Sequence, residues 1–401
     1  MFPLMKLGSS SSQKDVQKRL NLAVQWLLNS GIQNSTGAFS GWYDAEKREY
    51  PFIYGEMIGY GIQTFLYLYD REKEYEYLRR AERAADWLIK NMVYRGNDLL
   101  ARGAFVWRYY LPNGPLSTLV YAFDNGICMS ALVDLFQATY KEKYLNSAIS
   151  TAEWLLDVMR NSDGSFKACY DFQAKTFGNG RWSKLPGSYH AKLSIGLLKL
   201  YSVTKNEKLV KSVRELCDWV LKLQKEDGGF KTNKMSNDIY VHAHCYAVEG
   251  LLYASKMLSE KRFEEAALKG CEWLQKVQKS NGAISRWYYG QEGPSADENT
   301  EALAQTVRLW LLSSLNNSNR DLIDNPLLNR LQKAVNRLLD MQCLKARDKR
   351  ANGGFFYAIL EGKLVPHINC WSTLFSIQAL QMYLDWVAGN FSYEYFLKWL
   401  I

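Results

Sequence analysis

Two kinds of apolar segment alternate along this chain. The first has apolar positions at helical spacing on one side only, and it carries a recurring pair: Trp26-Leu27, Trp87-Leu88, Trp154-Leu155, Trp219-Val220 and Trp273-Leu274, with Arg337-Leu338 in the last place. One-sided spacing of that kind marks an amphipathic helix. The second kind, over residues 54–69, 124–140, 189–203, 242–257, 299–314 and 369–386, is apolar nearly all round, the pattern of a buried helix. Between them recurs a glycine turn: Gly37-Ala38-Phe39, Gly103-Ala104-Phe105, Gly164-Ser165-Phe166, Gly228-Gly229-Phe230, Gly282-Ala283-Ile284 and Gly353-Gly354-Phe355. Glycine permits the positive φ that ends a helix, and the apolar residue after it can fold back onto the core.

The unit recurs about every 55–65 residues, long enough for two helices and a loop. Six such units predict an all-α fold, an (α/α)6 toroid of six helical hairpins with the amphipathic helices outside and the apolar ones inside. No linker rich in Pro, Gly or Ser divides the chain, so one domain is expected over 1–401. Residues 1–14 are expected to be flexible and 391–401 to form a last helix packed on the outside.

Parallel inner helices would bring their N-termini together in one funnel. The residues at those starts are Tyr54 and Glu56; Asp124 and Asn125; Tyr189 and His190; His242, His244 and Tyr246; Asn299 and Glu301; and His367 and Asn369. Asp and Asn at a helix start are commonly caps. A lone histidine there is more often a satisfied structural group than a ligand. All four histidines of the chain nevertheless fall on this rim. Helix N-termini also carry partial positive charge, which suits an anionic ligand.

Composition sharpens the picture. The 401 residues are 47% hydrophobic and include 13 Trp and 26 Tyr, side chains that also line sugar and isoprenoid pockets. A net charge of +9 points to an anionic partner such as an acidic polysaccharide, met by a basic rim of Arg181, Lys184, Lys192 and Lys234. No block of like charge marks a nucleic-acid tail, and no run approaches the roughly 18 apolar residues of a membrane span. Seven scattered cysteines and a start without a signal-peptide pattern point to the cytoplasm, where a homodimer is allowed. His242-x-His244-Cys245 and His367-x-x-Cys370 match no standard zinc spacing, and no phosphate loop or dinucleotide fingerprint is present, so neither metal nor cofactor is expected.

The stretch from Lys167 to Tyr201 concentrates the chemistry: Tyr170-Asp171, a Gly-rich loop with Arg181-Trp182, then Tyr189-His190 at the start of an apolar helix. These elements, in this order, with Gly55–Tyr69, Glu74–Leu78 and Asn125–Leu132, resemble the catalytic region of the D-glucuronyl C5-epimerases that act on heparan-type polysaccharides. The resemblance covers about residues 40–205; here Ser183–Ser188 separate the Arg-Trp and Tyr-His elements, and the chain runs on to complete the toroid. A second, architectural likeness is to protein prenyltransferase β subunits and triterpene cyclases, best seen at Trp219–Phe230 with Gln224. Cys370 stands where the prenyltransferase zinc cysteine would be, but Ile368-Asn369 replace the preceding Asp-x, and the cyclases' Asp-x-Asp-Asp is missing.

The first resemblance implies inversion at C5 of a glucuronate residue. That chemistry removes a proton next to a carboxylate and returns one on the opposite face, so it needs a base, an acid and a carboxylate clamp. Tyr170 and Tyr189 are the expected proton-transfer pair, with Arg181 and His190 holding the carboxylate. Glu56, Asp124 and His244 would position hydroxyls, and Tyr54, Asn125, Trp182, His242, Asn299, Glu301 and His367 would complete the binding surface. Several rivals stand beside it: a polysaccharide lyase, a glycoside hydrolase using Glu56 and Asp124, an isoprenoid cyclase or prenyltransferase-like protein, and a non-catalytic toroid that only binds glycan or a partner protein.

Overall fold

The computed structural model describes residues 12–93, 99–110, 117–178, 182–314 and 326–401. Six outer helices carry the amphipathic pattern: α1 (Gln13–Asn29), α3 (Tyr75–Lys90), α5 (Glu142–Trp154), α7 (Glu207–Leu221), α9 (Lys261–Lys276) and α11 (Pro326–Asp340). The inner set is α2 (Gly55–Glu72), α4 (Ala122–Thr139), α6 (Leu193–Thr204), α8 (Val241–Leu258), α10 (Thr300–Ser313) and α12 (Cys370–Val387), with α6 entered through a 3₁₀ turn over Ser188–Lys192. Each inner helix packs on the next around the ring and α12 returns to α2, while α1 packs on α12. The architecture is the (α/α)6 toroid that the periodicity predicts.

The repeated glycine turn is what joins neighbouring hairpins. Gly37 has φ +103°, and a Cβ there would stand 2.4 Å from the Arg83 carbonyl oxygen on α3. The same approach recurs at Gly103, Gly164, Gly228 and Gly282, each to the backbone of the next outer helix. At Gly353 the helix approached is α1, with the Leu22 carbonyl 2.3 Å from the place of a Cβ, so the sixth turn closes the ring. Only glycine permits both the backbone angle and the contact.

A glutamine reinforces four of these joints. Gln33, Gln224, Gln278 and Gln342 each donate from Nε2 to their own turn's glycine carbonyl and to a carbonyl of the following outer helix. Behind the turn, the fourth residue of the inner helix binds the backbone of the turn's Phe. Asn125 bonds both the N–H and the C=O of Phe105, His244 Nδ1 accepts from the Phe230 N–H, and Thr373 Oγ1 accepts from the Phe355 N–H.

Among the described residues, short strands unanticipated by the helical periodicity form five small sheets. A strand ends directly at the start of α2, α4, α8, α10 and α12, each paired antiparallel with a strand from another loop, as Leu119–Tyr121 is with Cys169–Asp171. Two or three residues of β-ladder satisfy backbone groups that a bare loop would leave orphaned at the ring's mouth. All seven cysteines are buried and free.

Two expectations about the ends change. Residues 1–11 lie outside the described set, but Gln13 and Lys14 already belong to α1, which Ser12 caps by accepting from the Asp15 N–H. The last helix, α13 (Tyr393–Lys398), packs beneath the ring, yet the residues after it do not stay outside. Ile401 is only 1% exposed, and its carbonyl accepts from Lys192 and Arg308 in the middle of the inner ring. No helix among the described residues is long and apolar enough to cross a membrane.

Ring closure can be tested at its seam. Gln342→Ala removes the side-chain donor that the Gly353 and Arg19 carbonyls share and should cost ~0.5–1.5 kcal/mol in denaturant unfolding. Gly353→Ala should cost more, because the new Cβ meets the Leu22 backbone, which cannot swing aside as a side chain would. Equal denaturation midpoints for Gly353→Ala and the parent protein would contradict the seam.

Candidate active site

All six inner helix starts reach one cavity of about 280 Å³. Tyr54 and Glu56 come from the start of α2, Phe123 and Asp124 from α4, Tyr189 from the turn before α6, and His242, Ala243 and Tyr246 from α8. Glu301 comes from α10 and Trp371 from α12. Trp107, Tyr121, Ser183, Tyr240 and Tyr357 fill the gaps between helices. The wall is aromatic with carboxyl groups set into it, and its described lining residues include no lysine or arginine.

Three carboxyls face this space from α2, α4 and α10, and burial holds each above its ordinary range. Asp124 is pushed up to about 8 by desolvation, against the pull of its own backbone N–H and of Arg108. Its Oδ2 is buried with no hydrogen-bond partner among the described residues. Glu56 is raised well above the usual carboxyl range by desolvation and then by the nearby Asp124, although Trp371 Nε1 donates to its Oε1 at 3.2 Å. The push runs from Asp124 onto Glu56, so Glu56 is the carboxyl that holds its proton longer. Glu301 is raised to about 7 by burial, with Asn299 Nδ2 donating to Oε1 at 2.6 Å and Ser372 Oγ to Oε2 at 3.3 Å.

The remaining polar groups are kept neutral. Burial pulls His242 down to about 3, and its Nδ1 lies 2.6 Å from Gln305 Oε1. Desolvation raises the phenols of Tyr54, Tyr189, Tyr240 and Tyr246 well above their usual value, so each holds its proton. For Tyr189 the neighbouring Cys169 and Asp124 push in the same direction, and its hydroxyl donates to the Leu185 carbonyl at 2.9 Å.

The sequence-expected residues divide cleanly. Tyr54, Glu56, Asp124, Tyr189, His242 and Glu301 line the cavity, with Asn299 directly behind Glu301. Tyr170 does not: it sits in the strand Cys169–Asp171, 1% exposed, with its ring packed on Phe177. Asn125 and His244 are the backbone anchors of the Phe105 and Phe230 turns, and His244, held down to about 4 by burial, also bonds the Gly270 carbonyl through Nε2. His190 is fully buried, drawn down to about 3 by desolvation, with Nδ1 accepting from the Gly187 N–H. His367 stands on the rim, stacked on Trp42 at 4.8 Å. Arg181 and the Trp182 side chain lie outside the described residues. Lys192, expected on a basic rim, is buried and paired with Glu249 instead.

Sequence reasoning missed Trp107, Tyr121, Phe123, Tyr240, Tyr357 and Trp371. A signal for two of them existed in the repeat itself. Trp107 and Tyr357 each stand two residues after the turn's phenylalanine, at Phe105 and Phe355, a spacing that returns a strand side chain to the same face.

Residues 106–242 match the family model described as Glycosyl Hydrolase Family 88, a segment that includes Asp124, Tyr189 and His242. No curated protein sequence matches the chain. Among solved structures, a sugar epimerase from a ruminal bacterium aligns with a TM-score of 0.75 at 13% identity, over 91% of this chain and 98% of that one. Cellobiose 2-epimerase from Bacillus thermoamylovorans aligns with a TM-score of 0.75 at 12% identity, over 92% and 98%. An unsaturated glucuronyl hydrolase from Bacillus sp. GL1, described as responsible for glycosaminoglycan degradation, aligns with a TM-score of 0.68 at 14% identity, over 94% and 98%. At these identities the likeness establishes the toroid and nothing finer.

The buried carboxyls give the folded chain a pH signature. In the unfolded chain they ionise near pH ~4, whereas folded Asp124 keeps its proton to about 8. The folded state therefore binds more protons across that window, so this contribution is fully present below the unfolded value and is lost as pH rises through the folded one. Asp124→Asn removes the penalty. Its stability relative to the parent protein should rise from pH 4 to pH 8, reaching a gain on the order of 1–3 kcal/mol. A difference that stays constant over this range in parallel urea titrations would contradict a raised Asp124.

Proposed function

We propose that this cavity hydrolyses a glycosidic bond of a short saccharide, with Glu56 as general acid and Asp124 as the base that activates water. The observation that carries the reading is the buried carboxyl pair on neighbouring inner helices, raised by desolvation inside an aromatic wall. Cleavage needs one group that still holds its proton, to protonate the leaving oxygen, and one that has lost it, to take a proton from water. The environments assign those roles. Asp124 has Arg108 and a helix N–H to favour its anion, while Glu56 is pushed further up by that anion. The glycosyl hydrolase family match over the segment containing Asp124 supports the same class.

The cavity's size, about 280 Å³, suits a single terminal sugar ring, with the rest of the chain leaving past the rim. Acidic saccharides stand first as substrates because of the +9 balance and the likeness to an unsaturated glucuronyl hydrolase. The carboxyl-lined wall gives neutral saccharides a place beside them. Inversion at C5 remains a second reading, favoured by one observation: Tyr189 brings a protonated phenol to the same cavity as Asp124 and Glu56. The tyrosine pair does not survive in it, since Tyr170 packs on Phe177 outside the lining.

One assay separates the readings. Saturated and 4,5-unsaturated glucuronyl disaccharides and their neutral counterparts are incubated in deuterated water, with reducing ends and C5 deuterium read by NMR. Hydrolysis predicts new reducing ends, lost about a hundredfold or more in Glu56→Gln and in Asp124→Asn with the fold intact. Deuterium at C5 without bond cleavage would replace hydrolysis by epimerisation. For an active substrate, kcat/KM should rise with pH through the Asp124 ionisation at about 8 and fall only where Glu56 loses its proton. An optimum well below neutrality would reverse the assignment of the base.

A further inference from the structure

Beneath the cavity lies a buried polar chain that the proposed hydrolysis does not use. Glu249 on α8 and Gln305 and Arg308 on α10 are fully buried, and Lys192 is nearly so. The carboxylate of Glu249 accepts at Oε1 from Arg308 Nη2 at 2.7 Å and at Oε2 from Lys192 Nζ at 2.8 Å. Gln305 Nε2 donates to the same Oε2 at 3.2 Å. The Ile401 main-chain oxygen also accepts from Arg308 at 2.7 Å and from Lys192 at 3.0 Å, and Gln378 Oε1 accepts from Arg308 at 2.8 Å.

The direction of each bond follows from what each group is able to do. A carboxylate only accepts, so the Gln305 amide must turn its NH2 towards Glu249. Its carbonyl oxygen is then the atom facing His242 Nδ1 at 2.6 Å, and a carbonyl also only accepts. His242 Nδ1 must therefore carry the proton. Burial keeps the ring from taking a second one. Nε2 is left as a bare lone pair on a residue that lines the cavity, since the hydrogen bond His242 makes among the described residues is at Nδ1. The Tyr246 ring, 4.4 Å from the imidazole, fixes the plane in which that lone pair points.

We propose that Glu249, Gln305 and Arg308 are positioning residues that fix His242 as its Nδ1–H tautomer, so that Nε2 presents a hydrogen-bond acceptor to the cavity and selects a ligand bearing a hydroxyl donor at that place. The saccharide identity of that ligand rests on the proposed function; the tautomer does not. One chain of contacts runs through the device. The cations hold the carboxylate, the carboxylate orients the amide, and the amide sets the imidazole. Substitution of Gln305 reads the chain without unpairing Glu249 from Lys192 and Arg308, which would leave buried charges uncompensated.

The test uses the ligand-free protein with ¹⁵N-labelled histidine, the His242 resonances being assigned by their loss in His242→Gln. Long-range ¹⁵N–¹H correlation should show protonated Nδ1 and unprotonated Nε2 in the parent protein at neutral pH. Gln305→Leu removes the acceptor, and the proton should move to Nε2, exchanging the two nitrogen shifts. Gln305→Glu retains an acceptor oxygen, and Nδ1 should stay protonated. Protonated Nε2 in the parent protein, or an unchanged tautomer in folded Gln305→Leu, overturns the proposal. Because no substrate is present, failure of hydrolysis leaves this result standing, and an unexpected tautomer leaves the hydrolysis reading standing.

Discussion

Everything in this molecule depends on how closely one hairpin's turn approaches the next outer helix. Six glycines at positive φ lay their backbone against a neighbouring helix carbonyl, at distances no Cβ would tolerate. That contact sets the angular step of the ring. With the step fixed, the six inner helices have one common direction, and their first turns have one place to meet. The chemistry of the cavity is therefore a consequence of a backbone contact some distance away from it.

The inner helix starts are used for two purposes, and position within the first turn separates them. Asn125, His244 and Thr373, each the fourth residue of its helix, turn back to the phenylalanine of the preceding glycine turn. Glu56, Asp124 and Glu301, each the second or third residue, turn inward to the cavity. A helix advances roughly 100° per residue, so a shift of one or two positions moves a side chain from the joint to the site. The carboxyls that face inward lose more to burial than Arg108 and Arg286 return from nearby, and their raised protonation is the electrostatic cost of being there.

The fold was legible because its signal is repeated. Six copies of an amphipathic helix, a glycine turn and an apolar helix leave little freedom once each apolar face must be buried. The site was legible in outline, since Glu56, Asp124, Tyr189, His242 and Glu301 follow from the funnel alone. The roles were not. Histidines at equivalent places look alike in sequence, yet His242 faces the cavity while His244, two residues on, ties down a backbone N–H. Tyr170 misled because a strand, invisible to a helical period, turned its ring towards Phe177. The aromatic wall was missed for a related reason: Trp107, Tyr121 and Tyr240 belong to the loops and short strands between helices, whose side chains obey no helical spacing.

The pairing of α1 with α12 means that the first hairpin's outer wall waits for the last inner helix. A chain emerging vectorially can pack α2 on α3 and α4 on α5 early, since those contacts are local, but it cannot complete the ring. Until α12 arrives, Glu56 lacks the Trp371 indole that donates to it, and the apolar flank of α1 has no partner. The burial that raises Glu56 and Asp124 is therefore a property of the closed ring, to which the last inner helix contributes as much as the two helices that carry the acids.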